Sequence, residues 1–209
     1  MTIRKGQEWG HFEDRPNDLQ VVADDFAAGE LITNQTLDLE SPLKISIVNS
    51  GLSRTLGIKK ASLRTDQMLC TKFDVIEANY TPVDSADVTR RCFIGNAFIY
   101  QNLIFGQTIA ILNTSFVGKR DWAPKAHPND GKFDVIELDS SMSIRQRLTA
   151  FRLMKSGSNL PHPKIRYTQA PEFVFSGERS ASMSIEGVRI GAIRHCVFKV
   201  LPDAVNLYW

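Results

Sequence analysis

A chain of 209 residues can bury one sizeable core, and 43% hydrophobic against 23% charged residues is an ordinary soluble composition rather than a disordered or fibrous one. The formal charge is only +2 with basic residues dispersed, which excludes the arm or stripe that wraps DNA or RNA. Cys70, Cys92 and Cys196 are odd in number, far apart and set in apolar contexts, which excludes a disulfide framework and any local zinc spacing, and reads as reduced core thiols.

The N-terminus has no apolar leader, and no run approaches the roughly 18 apolar residues that cross a bilayer, so the cytoplasm is the expected location. Met1 favours a complete chain over a fragment. One domain is expected over 1–209, with a leading segment and helix in 1–35 and a β-sandwich in 36–209. Residues 1–15 read as an extended segment that docks through Trp9 and Phe12. Asn17 or Asp18 then offers an N-cap, Leu19, Val22 and Phe26 recur at helical spacing, and Gly29 sits where a glycine would stop the helix.

From Leu31 onward the pattern is β. Strands are expected at Leu43–Ile47, Lys72–Asn79, Arg91–Gln101, Gln107–Phe116, Phe133–Leu138, Lys164–Gln169, Glu172–Phe175, Met183–Ile185, Val188–Val200 and Val205–Trp209. The fold class is therefore mainly β, a sandwich-like domain of about ten strands with two short helices. The hexapeptide K-F-D-V-I-E occurs at Lys72–Glu77 and again at Lys132–Glu137 with unmatched flanks, as two strands with similar face requirements would.

Between these strands, Pro124, Pro128 and Asn129-Asp130-Gly131 demand a tight turn. The Asp130 carboxylate and the main-chain oxygens of His127 and Lys132 could converge there on a hard cation, and plain Asp-Gly turn chemistry accounts for the same residues. The second helix opens on a Ser143–Gln146 capping box, spends an Ile144, Leu148, Phe151 stripe on the core, and ends before Gly157. Its other side carries Arg145, Arg147, Arg152 and Lys155, a face suited to anionic lipid headgroups or simply to solvent.

Catalytic and cofactor-binding signatures are missing. There is no glycine-rich phosphate nest, no nucleophile elbow and no H-E-x-x-H, His11, His127, His162 and His195 are scattered, and the adjacent Asp24 and Asp25 on a helix would not face each other.

Four stretches together resemble the C-terminal β-rich domain of the bacterial diacylglycerol kinase and related lipid kinase family: Ala123–Glu137, Arg145–Tyr167, Ala170–Ser176 and Ser184–Gly187. More weakly, Gly6–Gly29 looks like the segment leading into that domain. The family pairs this β-sandwich with an ATP-binding α/β half that has no counterpart here. The resemblance implies a structural Mg²⁺ held by His127, Asp130 and Lys132, no ATP bound by this chain alone, and no catalytic residue. The family's general base ends an Asp-Gly-Glu turn, and the matching Glu186, Gly187 and Val188 place valine there. The implied function is a lipid-kinase-like module without phosphotransfer of its own, binding a lipid-like ligand or a partner chain, with peripheral membrane contact and homo-oligomerisation open. The alternative is one subunit of a split lipid kinase whose nucleotide-binding half is a separate protein.

Overall fold

A computed structural model describes residues 10–35, 41–52, 55, 66–102, 106–158 and 160–209. Its elements in order are β1 (His11–Asp14), β2 (Gln20–Asp24), α1 (Asp25–Thr33), β3 (Leu43–Asn49), β4 (Gln67–Pro82), β5 (Thr89–Phe93), β6 (Asn96–Tyr100), β7 (Thr108–Leu112), β8 (Phe116–Val117), β9 (Arg120–Asp121), β10 (Phe133–Leu138), α2 (Ile144–Leu153), β11 (Ile165–Ala170), β12 (Glu172–Ile185) and β13 (Val188–Tyr208). The fold is mainly β and sandwich-like. One mixed sheet runs β1-β4-β13-β12-β6-β7-β10-β11, with β5 on β4, β3 on β13 and β2 on β3, and β8 and β9 form a separate ribbon.

Two long strands let this sheet curl. β13 pairs with β4 over His195–Leu201 and, in a shifted register, over Val205–Tyr208, the two separated by an irregularity at Pro202–Ala204 where Asp203 takes a positive φ of 54°; a further shift follows Ile193. Bulges of this kind bend a strand and sharpen its twist. One enclosed core therefore gathers Ile76, Phe93, Ile111, Phe133, Met183 and Phe198 from strands far apart in the sheet order. Phe93 meets Phe198 edge to face at 6.2 Å. A second core lies beyond the bulge, where Ala28 and Ile32 of α1 pack on Ile45, Phe73, Val75, Ile94 and Leu207. A third lies under α2.

Several expectations are revised. The first helix is α1, not a helix from Leu19: residues 20–24 pair in parallel with β3, and Asp24, not Asn17 or Asp18, is the N-cap through a bond from Ala27 N. Gly29 lies inside that helix rather than past its end, because α1 rides so close to β5 that a Cβ there would stand 2.6 Å from the Cys92 carbonyl oxygen. Phe12 is 72% exposed rather than docked against the described residues, while Trp9 is outside them. The strands expected at Glu172–Phe175 and Met183–Ile185 are one continuous β12, and the last two expected strands are one β13. The run Arg91–Gln101 instead breaks at Ile94-Gly95 into β5 and β6. β10 and the capping box of α2 lie where expected.

The stripe of α2 is inverted. Ile144, Leu148 and Phe151 are exposed, and Arg147 is buried with Ala150 and Met154. Arg147 donates to the carbonyls of Met142, Asp139 and Gly106 and to Thr108 Oγ1, so the side chain pinning the helix to the sheet is polar. All three cysteines are buried and free, as expected.

Replacing Gly29 by alanine tests the helix–sheet approach. An open mid-helix site would gain about 1 kcal/mol from alanine. Overpacking here should instead cost about 1–3 kcal/mol in urea unfolding. A gain in stability would show that α1 does not depend on this contact.

Candidate functional site

The turn at residues 124–132 is built as its residues dictate. Asn129 N donates to His127 Nδ1, Lys132 N donates to Asp130 Oδ1, and Gly131 takes a positive φ of 73°. Asp74, in the first copy of K-F-D-V-I-E, receives this turn. Its Oδ2 accepts from Gly131 N at 2.8 Å, its Oδ1 accepts from Asp203 N at 2.9 Å, and its own N–H donates to Pro128 O. Asn129 Nδ2 adds bonds to Lys72 O and Asp203 Oδ1. Burial raises the Asp74 pKa to about 6, helped by the charges of Asp203 and Asp130 and opposed by the two N–H donors. In the second copy, burial likewise raises Asp134 to about 6, although Tyr167 donates to its carboxylate.

His127, Asp130 and Lys132 thus share one turn. Asp130 has a carboxyl raised by burial, and burial lowers the His127 pKa. A carboxylate with main-chain oxygens is a hard donor set of the type Mg²⁺ takes, and a dication would offset the anionic charge that Asp130 and Asp203 place around Asp74. Asp74 itself is committed to Gly131 and Asp203 and is not a spare ligand.

Glu186 and Gly187 form the two-residue turn between β12 and β13, with φ of 48° and 79°, the conformation of a tight hairpin. The Glu186 carboxylate folds back onto the β5–β6 junction. Oε1 accepts from Ile94 N and Gly95 N, and Oε2 accepts from Asn96 N and Asn96 Nδ2. Gly95 leaves it room, since a Cβ there would lie 2.9 Å from Oε2. The residue as a whole keeps some surface, but its carboxylate is enclosed. Burial, with a smaller push from the Asp25 charge, raises its pKa to about 8 against the lowering effect of those N–H donors. Asp25 accepts from Ser50 Oγ and Gly51 N, and burial raises it too. Asp24 caps α1 and its charge adds to the rise of Asp25, whose own charge reaches Glu186.

Beside this hairpin lies a mostly apolar cavity of about 350 Å³, within the range of about 300–1,000 Å³ of small-molecule sites. Phe98, Trp122 and Phe151 form its aromatic wall, with Trp122 edge to face against both partners at 5.1 and 5.2 Å. Leu138 and Arg147 close the α2 side, and Gly187 and Arg189 of the hairpin form another side. Arg120 stacks over the Phe151 ring at 5.2 Å. The sequence points to the turn at residues 124–132 and misses this cavity, since its wall comes from β6, the residue that follows β9 and α2, which no local spacing connects. The signal available in the sequence is the Ile144, Leu148, Phe151 stripe, which is exposed rather than core. His162 and His195 are remote from the turn residues in sequence, and His195 is exposed on β13.

Residues 100–209 match the model of the YegS C-terminal NAD kinase beta sandwich-like domain, and the chain belongs to that family. No curated protein matches it. Among solved structures, a protein named as a candidate diacylglycerol kinase from Bacillus anthracis Sterne is similar with a TM-score of 0.64 at 14% identity, over 91% of this chain and 77% of that one. A further structure, of a diacylglycerol kinase from the same organism, gives 0.57 at 15% identity, over 91% and 75%. At these identities the likeness is one of fold.

The Glu186 clasp has a pH signature. An unfolded glutamate releases its proton near about pH 4.3, whereas folded Glu186 holds it to about pH 8. The folded state binds more protons between those values. Its contribution is complete below the unfolded pKa and is lost as pH rises through the folded one. From pH 6 to 8 the wild type should lose more stability in denaturant unfolding than Glu186→Gln, which cannot ionise. Parallel declines would refute the assignment.

Proposed function

We propose that this chain is a lipid-kinase-like binding module that takes a lipid-like ligand in the aromatic cavity between α2 and the β12–β13 hairpin and transfers no phosphate by itself. The cavity carries the reading. Its wall of Phe98, Trp122, Phe151 and Leu138 matches an acyl chain rather than a nucleotide. Arg147 has its donors spent on carbonyls, so it acts as a wall, whereas Arg189 is exposed at the rim, where it can pair with an anionic or ester headgroup.

Next to the cavity, Ile144, Leu148 and Leu153 are exposed with Arg145, Arg152 and Lys155. An apolar stripe flanked by cations suits peripheral contact with an anionic bilayer, from which such a ligand would be drawn. No helix among the described residues is long and apolar enough to cross a membrane, which says nothing of strands. The absence of transfer rests on Glu186. Its oxygens are engaged by main-chain donors, and Val188 stands where the resemblance expects a base. A Mg²⁺ at Asp130, with the main-chain oxygens of His127 and Lys132, would brace the turn against β4 and supply no chemistry to the ligand.

A second reading has its own support. Among the described residues β2 pairs with β3 alone, and Val21 of β2 and Val48 of β3 are 44% and 43% exposed, so this edge could accept a nucleotide-binding partner and make the chain one subunit of a split kinase.

Three measurements test these readings. Binding of diacylglycerol in mixed micelles should weaken at least tenfold, or about 1.4 kcal/mol, in Phe151→Asp. Unchanged binding by that folded variant would remove the cavity from the proposal. ATP-dependent lipid phosphorylation by a complex recovered on the tagged chain would favour the split enzyme, and a silent complex the module. Mg²⁺ should raise the melting temperature of the wild type but not of Asp130→Asn; equal shifts would place the ion elsewhere.

A further inference from the structure

A histidine, a carboxylate and a thiol meet where β1 joins the sheet, and none of the three lines the cavity or belongs to the turn at residues 124–132. β1 runs antiparallel to β4 with His11 opposite Cys70, and Cys70 lies opposite Tyr208 of β13. Side chains alternate along a strand, so Glu13 shares the face of His11. The ligand atoms of His11, Glu13 and Cys70 all lie within 4.8 Å of one another, the one place among the described residues where three such donors converge. His11 Nε2 contacts Glu13 Oε2 at 2.9 Å, and Tyr208 OH donates to Glu13 Oε1.

We infer that His11, Glu13 and Cys70 form a binding site for a single Zn²⁺ ion. Imidazole, carboxylate and thiolate are the three ligand types that zinc combines, and the mixed soft and borderline set disfavours Mg²⁺ or Ca²⁺. With zinc bonds of about 2.0–2.3 Å, donors around one tetrahedral ion stand about 3–4 Å apart. The three donors, within 4.8 Å of one another and with His11 exposed, stand close to that spacing. On binding, the Cys70 thiol gives its proton to solvent. The His11 hydrogen, which in the metal-free contact lies on Nε2 toward Glu13 Oε2, moves to Nδ1 at the same time and frees Nε2 for the metal.

Tyr208 holds the second Glu13 oxygen and so orients the carboxylate, as outer partners of metal ligands do. Three protein ligands leave one position open, and it faces water beside His11. The site is therefore exchangeable and ties β1 to β4 and β13. Without an ion, the same contacts are a surface His–Glu pair beside a core thiol.

Titration of the metal-free protein with Co²⁺, in a non-thiol reductant, separates the two. One equivalent should produce a thiolate-to-cobalt charge-transfer band that Zn²⁺ abolishes stoichiometrically. Cys70→Ser should remove the band, His11→Ala should weaken Zn²⁺ binding at least tenfold, and Tyr208→Phe should weaken it about 10–100-fold. His11 is exposed, so its variant tests the site even if the buried Cys70 variant fails to fold. Absence of the band in the wild type, or equal zinc affinity in His11→Ala, overturns the inference.

Discussion

The buried carboxylate of Asp74 is the joint on which this fold closes. It meets three things that have no other reason to be adjacent: the middle of β4, the bulge at Asp203 in β13, and the turn before β10. Its own carbonyl accepts from Asn113 Nδ2, which also donates to Ile94 O, so the end of β7 and the β5–β6 junction are tied to the same residue. A buried carboxylate is costly unless its lone pairs are met. Here two main-chain N–H groups meet them, and the rise in its pKa to about 6 shows that burial outweighs those bonds. The joint is nonetheless hard to remove, because without Asp74 the N–H groups of Gly131 and Asp203 would each lose their acceptor at about 1–3 kcal/mol.

The bulge that Asp74 closes sets the rest of the geometry. It lets β13 run in one register beside β12 and in another beside β3, so a single sheet can enclose one core and offer a second surface to α1. With α1 seated against β5 through Gly29, Asp25 at its first turn is carried towards the β12–β13 hairpin, and Glu186 is pressed onto residues 94–96 from the other side. The position of the carboxylates is thus a consequence of sheet curvature rather than of any local motif.

Much of this was legible locally and little of it was legible at long range. The strand Phe133–Leu138 and the Ser143 capping box depend on neighbours within a few residues, and both lie where pattern placed them. Gly29 looks like a helix stop in the sequence because its role is a contact with Cys92, distant along the chain. The repeat of K-F-D-V-I-E carried more than face preference: in both copies Phe, Asp, Val and Ile are all buried, which alternation alone does not predict, and the two aspartates are the buried carboxyls flanking the turn. The helix α2 failed for a related reason. Its periodicity was correct, but which face is inward was decided by carbonyls of Gly106 and Asp139 waiting for Arg147.

That inversion bears on function more than any other departure. A helix anchored by an arginine rather than by its leucines has its apolar side chains left for something else. Phe151 uses this freedom to complete the aromatic wall with Trp122, and Leu148 and Ile144 continue the same surface outward. The hairpin on the other side is held equally firmly, since Glu186 is consumed in tying it to β5–β6 and Gly187 can approach the cavity without a side chain. Both walls are therefore fixed by polar contacts behind them, which keeps an apolar cleft open where collapse would otherwise bury it. Such preorganisation favours binding, because a ligand entering a standing cavity orders little that is not ordered already. It also argues against proton transfer by Glu186, whose carboxylate would have to leave its main-chain donors, and release the hairpin, to reach a substrate.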